Sequence, residues 1–321
     1  MPDVFFYELF EEESEAMSRY LPAGITADST WKTIQERDNR DPPASFISIR
    51  TQSLIPGSWA QKMTGILTRS TGYDHIVSFR QKSENNISCG YLPRYCRRAV
   101  AEQAILLWMS LLRKLPGQVR QFSQFHRDGL TGRECEHKTL LVVGVGNIGS
   151  EIVAIGKSLN MKVLGVDLVR NNPSVEYISI EEGTEQADII VCAMNLTADN
   201  RGYFHYELLR RAKAGVLFIN IARGELSPAC DLLRLLNENH LGGVGLDVYN
   251  DESELAVSLR AGEPADSEEV RAVLEIAQRD NVILTPHNAF NTAEAVEKKA
   301  RETVKQITHF LEKGNFIWPV P

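Results

Sequence analysis

The sequence predicts an α/β protein of two domains, each a parallel sheet with helices on both faces. Three observations lead there. The chain has 321 residues, more than one ordinary hydrophobic core organises. From residue 139 onwards, continuous Val/Ile/Leu runs alternate with helix-like segments, the pattern of parallel strands buried on both sides. A glycine-rich turn, GVGNIG at 144–149, stands between a strand-like run and a helix-like one.

Taken in order, the first ninety residues hold short β-type runs, VFFYEL (4–9), SFISIR (45–50), GILTRS (65–70) and NIS (86–88). Helix-like or polar stretches separate them, which predicts a small parallel α/β unit. Residues 97–115 read as a helix that is apolar nearly all round, crowded with Ile105, Leu106, Leu107, Trp108, Met109, Leu111 and Leu112. Such a helix must be covered on most sides, either in a core or at a junction between domains or subunits. Strands then follow at TLLVV (139–143), KVLGVD (162–167), ADIIVCAM (187–194), GVLFINIA (215–222), GGVGLDVY (242–249) and NVILTPH (281–287). Helices are expected at 150–160, 207–212, 230–238 and 268–278, and a long one at 293–313 carries the chain back to the first domain.

Composition narrows the function classes. The chain is 43% hydrophobic and 24% charged, ordinary for a soluble globular protein. Its net charge of −7 gives no general attraction for nucleic acid or an anionic membrane. Five cysteines without C-x-x-C spacing suit reduced thiols in a cytoplasm, and neither a disulfide framework nor a metal site. The acidic N-terminal stretch lacks the basic start of a secretory signal. The window 99–115 is shorter than the ~20 apolar residues of a membrane span. The expectation is a cytoplasmic protein.

The 144–149 turn follows a buried strand and opens a helix, the context that binding of a dinucleotide pyrophosphate requires. Gly144 permits the tight turn, Gly146 allows close backbone approach, and Gly149 lets helix and strand pack. Asp167 ends the next strand, placed to accept hydrogen bonds from the adenosine ribose hydroxyls and to repel a 2′-phosphate. NAD is therefore expected rather than NADP, although nearby Arg170 could pair with the extra phosphate.

Ligands in an open parallel sheet bind beyond the carboxyl ends of the strands. Three ionisable residues stand there: Arg223 after FINIA, Glu252 after GLDVY and His287 after VILTP. Together they suit reduction of a 2-keto acid. A guanidinium grips the substrate carboxylate and polarises the C2 carbonyl. An imidazolium gives a proton to the developing alkoxide as hydride arrives from nicotinamide. A carboxylate on the second imidazole nitrogen fixes the tautomer. Singly, each residue also has a plain surface or structural reading.

These motifs make the sequence resemble the D-isomer-specific 2-hydroxyacid dehydrogenase family, nearest in look to its D-lactate dehydrogenase branch. The matching pieces are TGRECEHKTLLVVGVGNIG (131–149), NLTADNRGYF (195–204), FINIARGEL (218–226), GLDVYNDE (245–252) and TPHNAF (285–290), with TRSTGYDHI (68–76) and YLPRYCRRAVAE (91–102) before them. The resemblance implies a Rossmann cofactor domain over residues 99–287 and a smaller flavodoxin-like substrate domain built from 1–98 and 288–321. It implies a homodimer and an NAD-dependent, reversible hydride transfer to a small, lactate/pyruvate-like 2-keto acid. Arg223, Glu252 and His287 fall on the family's catalytic positions. Thr71 and Gly72 fall on its carboxylate-binding loop. Asn147, Ile148, Ala222 and Asp247 join the glycines and Asp167 in the expected cofactor set. Tyr95 and Phe290 stand where they would either wall the substrate pocket or simply pack.

Some positions depart from the family pattern. Ser227-Pro228 replaces a Val-Asp pair at a helix start, Val77 replaces an aspartate, and 253–280 is long and acidic. Two other readings accompany the dehydrogenase: a non-catalytic NAD-sensing protein on the same fold, and a formate- or phosphite-type dehydrogenase. Glutamate at 252 speaks against formate, where family members carry glutamine.

Overall fold

The computed structural model describes residues 1–83, 86–262 and 264–321. The chain divides into two units, Met1–Cys96 with Asn291–Pro321, and Arg97–Phe290.

In the first unit, β1 (Val4–Phe6), β2 (Ala27–Ser29), β3 (Phe46–Ile49), β4 (Gly65–Thr68) and β5 (Ser88–Gly90) form a parallel sheet in the order β2-β1-β3-β4-β5. The strands are shorter than the apolar runs that announce them. VFFYEL leaves the ladder after Phe6 because Glu8 turns into a left-handed backbone, φ 55. Its buried carboxylate then accepts the backbone N–H groups of Arg50, Gln52 and Ser53 at 3.0–3.1 Å. The NIS run contributes only its last residue to β5. Strand β2 is exposed throughout and carries no hydrophobic pattern that a sequence reading could use.

Helices α1 (Glu11–Tyr20) and α12 (Ala293–Lys313) pack together over this sheet, while α2 (Ile34–Arg37) and α3 (Asp74–Ser83) contribute to the core formed around Phe5, Ile47, Trp59 and Ile66. Thr292 caps α12 by accepting from Ala295 N at 3.2 Å. Gly65 and Gly90 lack side chains where Phe310 and Phe316 stack, 4.5 Å between ring centroids. A methyl group at either glycine would enter a phenyl ring.

The second unit opens with α4 (Arg97–Leu112) and α5 (Leu115–Gln121). Helix α4 is a core helix of this unit, and a Cβ at Gly245 would meet Leu107 at 3.0 Å. The Rossmann alternation follows: β6 (Thr139–Val143), α6 (Asn147–Ser158), β7 (Lys162–Val166), β8 (Glu176–Tyr177), α7 (Ile180–Gln186), β9 (Ile189–Cys192), α8 (Tyr206–Arg210), β10 (Val216–Asn220), α9 (Ala229–Asn237), β11 (Leu241–Leu246), α10 (Glu252–Ala261), α11 (Glu268–Ile276) and β12 (Val282–Leu284). The strands pair in parallel in the order β12-β11-β10-β9-β6-β7-β8. Strands β6, β9 and β10 are wholly buried, as their unbroken apolar runs require. The acidic stretch after Asp251 forms α10, not an open loop. Among the described residues no helix is long and apolar enough to cross a membrane.

Candidate active site

The chain leaves β6 on one side towards β7 and later returns on the other to β9, so the β6–α6 turn sits at the topological switch point of the sheet. Its three glycines have different reasons. Gly144 has φ +94, and a Cβ there would press on the Ala193–Met194 backbone. A Cβ on Gly149 would collide with the Gly144 carbonyl. Gly146 faces open space, with nothing within 4 Å of an added Cβ. It is the N-cap of α6, and no side chain caps the helix. This cradle fits a dinucleotide pyrophosphate: an exposed helix N-terminus and a backbone that a ligand can approach closely. Asn147 is exposed and Ile148 half-buried in the same turn. Asp167, just past β7, braces the turn by accepting from Val145 N at 2.6 Å and Val169 N at 2.9 Å.

Arg223 follows β10 through Ile221 and half-buried Ala222. Asn220 shapes that turn. Its amide nitrogen donates to the Arg223 carbonyl and to Ser227 Oγ, both at 2.8 Å, while its oxygen accepts from Ala222 N at 2.9 Å. Gly224 must be glycine, since a Cβ would overlap the Tyr249 carbonyl. One guanidinium nitrogen of Arg223 donates to the Ala222 carbonyl at 2.9 Å.

His287 and Glu252 meet at the ends of adjacent strands β12 and β11. Imidazole Nδ1 lies 2.9 and 3.0 Å from the two carboxylate oxygens, and each side chain is about one-fifth exposed (22% and 23%). His287 stands on left-handed backbone, φ 50, and so does Asp251, the N-cap before Glu252, φ 52. Asp247, 1% exposed, clamps the histidine loop. It accepts from Thr285 Oγ1 at 2.6 Å, Asn288 N at 2.9 Å and Ala289 N at 2.8 Å. Burial pushes its carboxyl above the ordinary range even though these donors favour the anion. The Tyr249 hydroxyl adds a bond to the Thr285 carbonyl at 2.7 Å. Asp247, expected in the cofactor set, makes these contacts within the histidine loop.

The first unit holds the other expected residues. The Thr71–Gly72 loop follows β4, with Thr71 Oγ1 donating to the Leu92 carbonyl at 3.1 Å and Ser70 Oγ to the Gly72 carbonyl at 2.6 Å. Tyr95 is buried with Lys299 Nζ 5.7 Å from its ring centre, and burial pushes its hydroxyl well up. Phe290 is half-buried beside Ala289 in the second unit. Asn220 and Tyr249 were missed as supporting residues, although both lie inside the FINIARGEL and GLDVYNDE stretches. Val77 packs against the first unit's core. Pro228 precedes α9 without a capping side chain, and Glu269 takes over by accepting from Ala229 N at 2.6 Å.

Residues 105–289 match the NAD-binding domain of the D-isomer specific 2-hydroxyacid dehydrogenases. That match spans more than half of the chain. The chain belongs to this family. The dehydrogenase is 31% identical over 255 residues to the aromatic 2-oxoacid reductase of Clostridium sporogenes, covering 78% of this chain and 76% of that one. It is 28% identical over 256 residues to the D-lactate dehydrogenase of Streptococcus agalactiae, with the same coverage. Among solved structures, the D-lactate dehydrogenase of Aquifex aeolicus complexed with NAD and lactic acid superposes with a TM-score of 0.84 at 27% identity, over 98% of each chain. The protein is thus an NAD-dependent D-2-hydroxyacid dehydrogenase, an oxidoreductase acting on a CH–OH group.

Proposed function

We propose that His287 is the general acid and base of this dehydrogenase, Glu252 its orienting partner and Arg223 the anchor of the substrate carboxylate. The observation that carries the assignment is the 2.9 Å contact between His287 Nδ1 and Glu252. With Nδ1 held by the carboxylate, Nε2 is the nitrogen left for the substrate. In reduction it donates a proton to the C2 carbonyl oxygen; in oxidation it takes one from the hydroxyl. Arg223 pairs with the C1 carboxylate and polarises the carbonyl. Each unit carries further candidate substrate contacts: the backbone N–H groups of Thr71 and Gly72, for a carboxylate, and Tyr95 in the first, and Phe290 in the second.

The turn from Gly144 to Gly149, with Asn147 and Ile148, holds the dinucleotide phosphates, and Asp167 the adenosine ribose hydroxyls. Asp247 and Ala222 flank the nicotinamide end. NAD, when bound, supplies or accepts the hydride. Residues 1–98 and 288–321 serve as the substrate domain and 99–287 as the cofactor domain. The substrate is a small 2-keto acid of the pyruvate type.

The working form is a cytoplasmic homodimer paired through the cofactor domain. Leu106, Val119, Phe122 and Phe125 present an exposed apolar stretch on α4, α5 and the turn after them, the kind of surface a second subunit covers. Five free cysteines fit a reducing compartment. Sedimentation at micromolar concentration checks the dimer, and a monomer there removes it.

The test of function is NADH oxidation at neutral pH with pyruvate, 2-ketobutyrate, 2-ketoisocaproate, phenylpyruvate, glyoxylate and hydroxypyruvate, with NADPH as the cofactor control. Turnover with a D product is expected. Silence across the panel with NADH still bound defeats the reading.

A further inference from the structure

The loop that follows β4 is anchored twice, and both anchors lie within the first unit. At its start Leu92 N donates to the Ser70 carbonyl at 3.1 Å, and Thr71 Oγ1 donates to the Leu92 carbonyl at 3.1 Å. A trans peptide is planar, with its N–H opposite its carbonyl, so the Thr71 N–H points away from Leu92. Further on, Ser70 Oγ donates to the Gly72 carbonyl at 2.6 Å. The peptide that carries the Gly72 N–H lies between these two anchored peptides.

The second anchor continues into the protein. Ser70 Oγ lies 2.7 Å from Thr68 Oγ1, and Thr68 Oγ1 lies 2.9 Å from Nε2 of His75 in the first turn of α3. Thr68 is fully buried and Ser70 nearly so. Counting hydrogens gives this chain a direction. A carbonyl only accepts, so the one hydroxyl hydrogen of Ser70 goes to Gly72. Ser70 Oγ must then accept from Thr68, which uses the one hydroxyl hydrogen of Thr68. Thr68 Oγ1 is left to accept from the imidazole, so Nε2 carries a hydrogen. The reverse arrangement, with Thr68 donating to the ring, sets two buried oxygens 2.7 Å apart with no hydrogen between them.

We infer that His75 is a positioning residue for the substrate loop: its Nε2–H heads a one-way chain through the Thr68 and Ser70 hydroxyls that pins the Gly72 carbonyl and so aims the Thr71 and Gly72 N–H groups at a carboxylate. The inference rests on the proposed reading of that loop as carboxylate-binding. Backbone donors hold an anion well only when their directions are set before it arrives, and small misplacements are costly. Leu92 sets the first N–H. The hydroxyl chain sets the far side of the second, and His75 decides which way its hydrogens point.

Kinetics with pyruvate and NADH, beside one spectrum, test this. Ser70→Ala and Thr68→Val are each expected to raise KM for pyruvate by about tenfold, with kcat and NADH affinity near wild type. His75→Leu is expected to raise it by about fivefold. His75→Gln, whose Nε2 still donates, is expected to stay within about twofold of wild type. Long-range proton–nitrogen correlation spectra of the wild-type enzyme, with the His75 signal assigned by its loss in His75→Gln, are expected to show a hydrogen on Nε2. The spectrum decides even where Ser70→Ala or Thr68→Val folds poorly. A bare Nε2, or equal KM values in His75→Gln and His75→Leu, overturns the chain and leaves the carboxylate reading of the loop standing. A protonated Nε2 with KM unmoved by Ser70→Ala overturns that reading as well.

Discussion

His287 holds a left-handed backbone, φ 50, which costs a non-glycine residue about 1 kcal/mol or more. The neighbours of the loop impose it: Asp247 grips Thr285, Asn288 and Ala289, and Tyr249 grips Thr285 again. The result is an imidazole aimed at Glu252. On the proposed roles, removing the proton carrier His287 and removing only its partner Glu252 should differ in size. His287→Ala is expected to lower kcat/KM by about 10³-fold, and Glu252→Gln by about 10²-fold, with NADH affinity retained in both. Steady-state kinetics beside NADH fluorescence titration check this, and near-wild-type turnover in His287→Ala rejects the role. Arg223, Glu252 and His287 were legible because each is a charged or ionisable residue directly past an apolar strand run. Asn220, Tyr249 and Glu8 were not. Their work consists of local bonds to backbone groups, which depend on how the turn folds and leave no periodicity in the sequence.

At the scale of the element, the β6–α6 turn separates two glycine roles that look identical in a G-x-G-x-x-G pattern. Gly149 is needed to fold, because any Cβ meets the Gly144 carbonyl. Gly146 is not needed to fold, because the space beside it is open in the folded chain, and its proposed role is to let the dinucleotide approach. Gly149→Val is expected to destabilise the protein by about 2 kcal/mol or more through backbone displacement. Gly146→Val is expected to keep the thermal midpoint near wild type while weakening NADH by about tenfold or more. Equal loss of stability in the two variants would contradict the division. The strands buried on both faces were readable as continuous apolar runs. The two-residue β8 and the exposed β2 offer no such run. Helix α10 was hidden for another reason. Its acids, Glu252 and Glu254, look like a solvated loop, yet the first turn of a helix is where the macrodipole favours carboxylates.

The whole molecule consists of two parallel sheets that each switch direction once, and charge enters their interiors differently. The second unit keeps its ionisable groups at strand ends, whereas the first buries Glu13, Arg69 and Lys299 between its sheet and its helices. Helix α12 reads from sequence as an ordinary amphipathic segment, but its covered face includes Lys299, Thr303 and Gln306. Burial opposes ionisation of Glu13, but Arg69, Lys299 and Arg50 outweigh it and hold the carboxyl at about 2, against an ordinary 4.5. Lys299 has one carboxylate to set against burial and two guanidiniums, so it is lowered to about 7. The two groups shape stability in different pH ranges. Lys299, with its folded value below its unfolded one, adds stability as pH rises from about 7 towards 10.5. Glu13 contributes on the order of 3 kcal/mol that is fully present above pH 4.5 and lost as pH falls towards 2. Glu13→Gln is therefore expected to be less stable at neutral pH, where two buried cations lose their carboxylate, and to show a shallower loss between pH 4.5 and 2. Thermal midpoints across that range check the prediction. An acid limb as steep as that of wild type would move the acid sensitivity from the Glu13 cluster to other carboxylates.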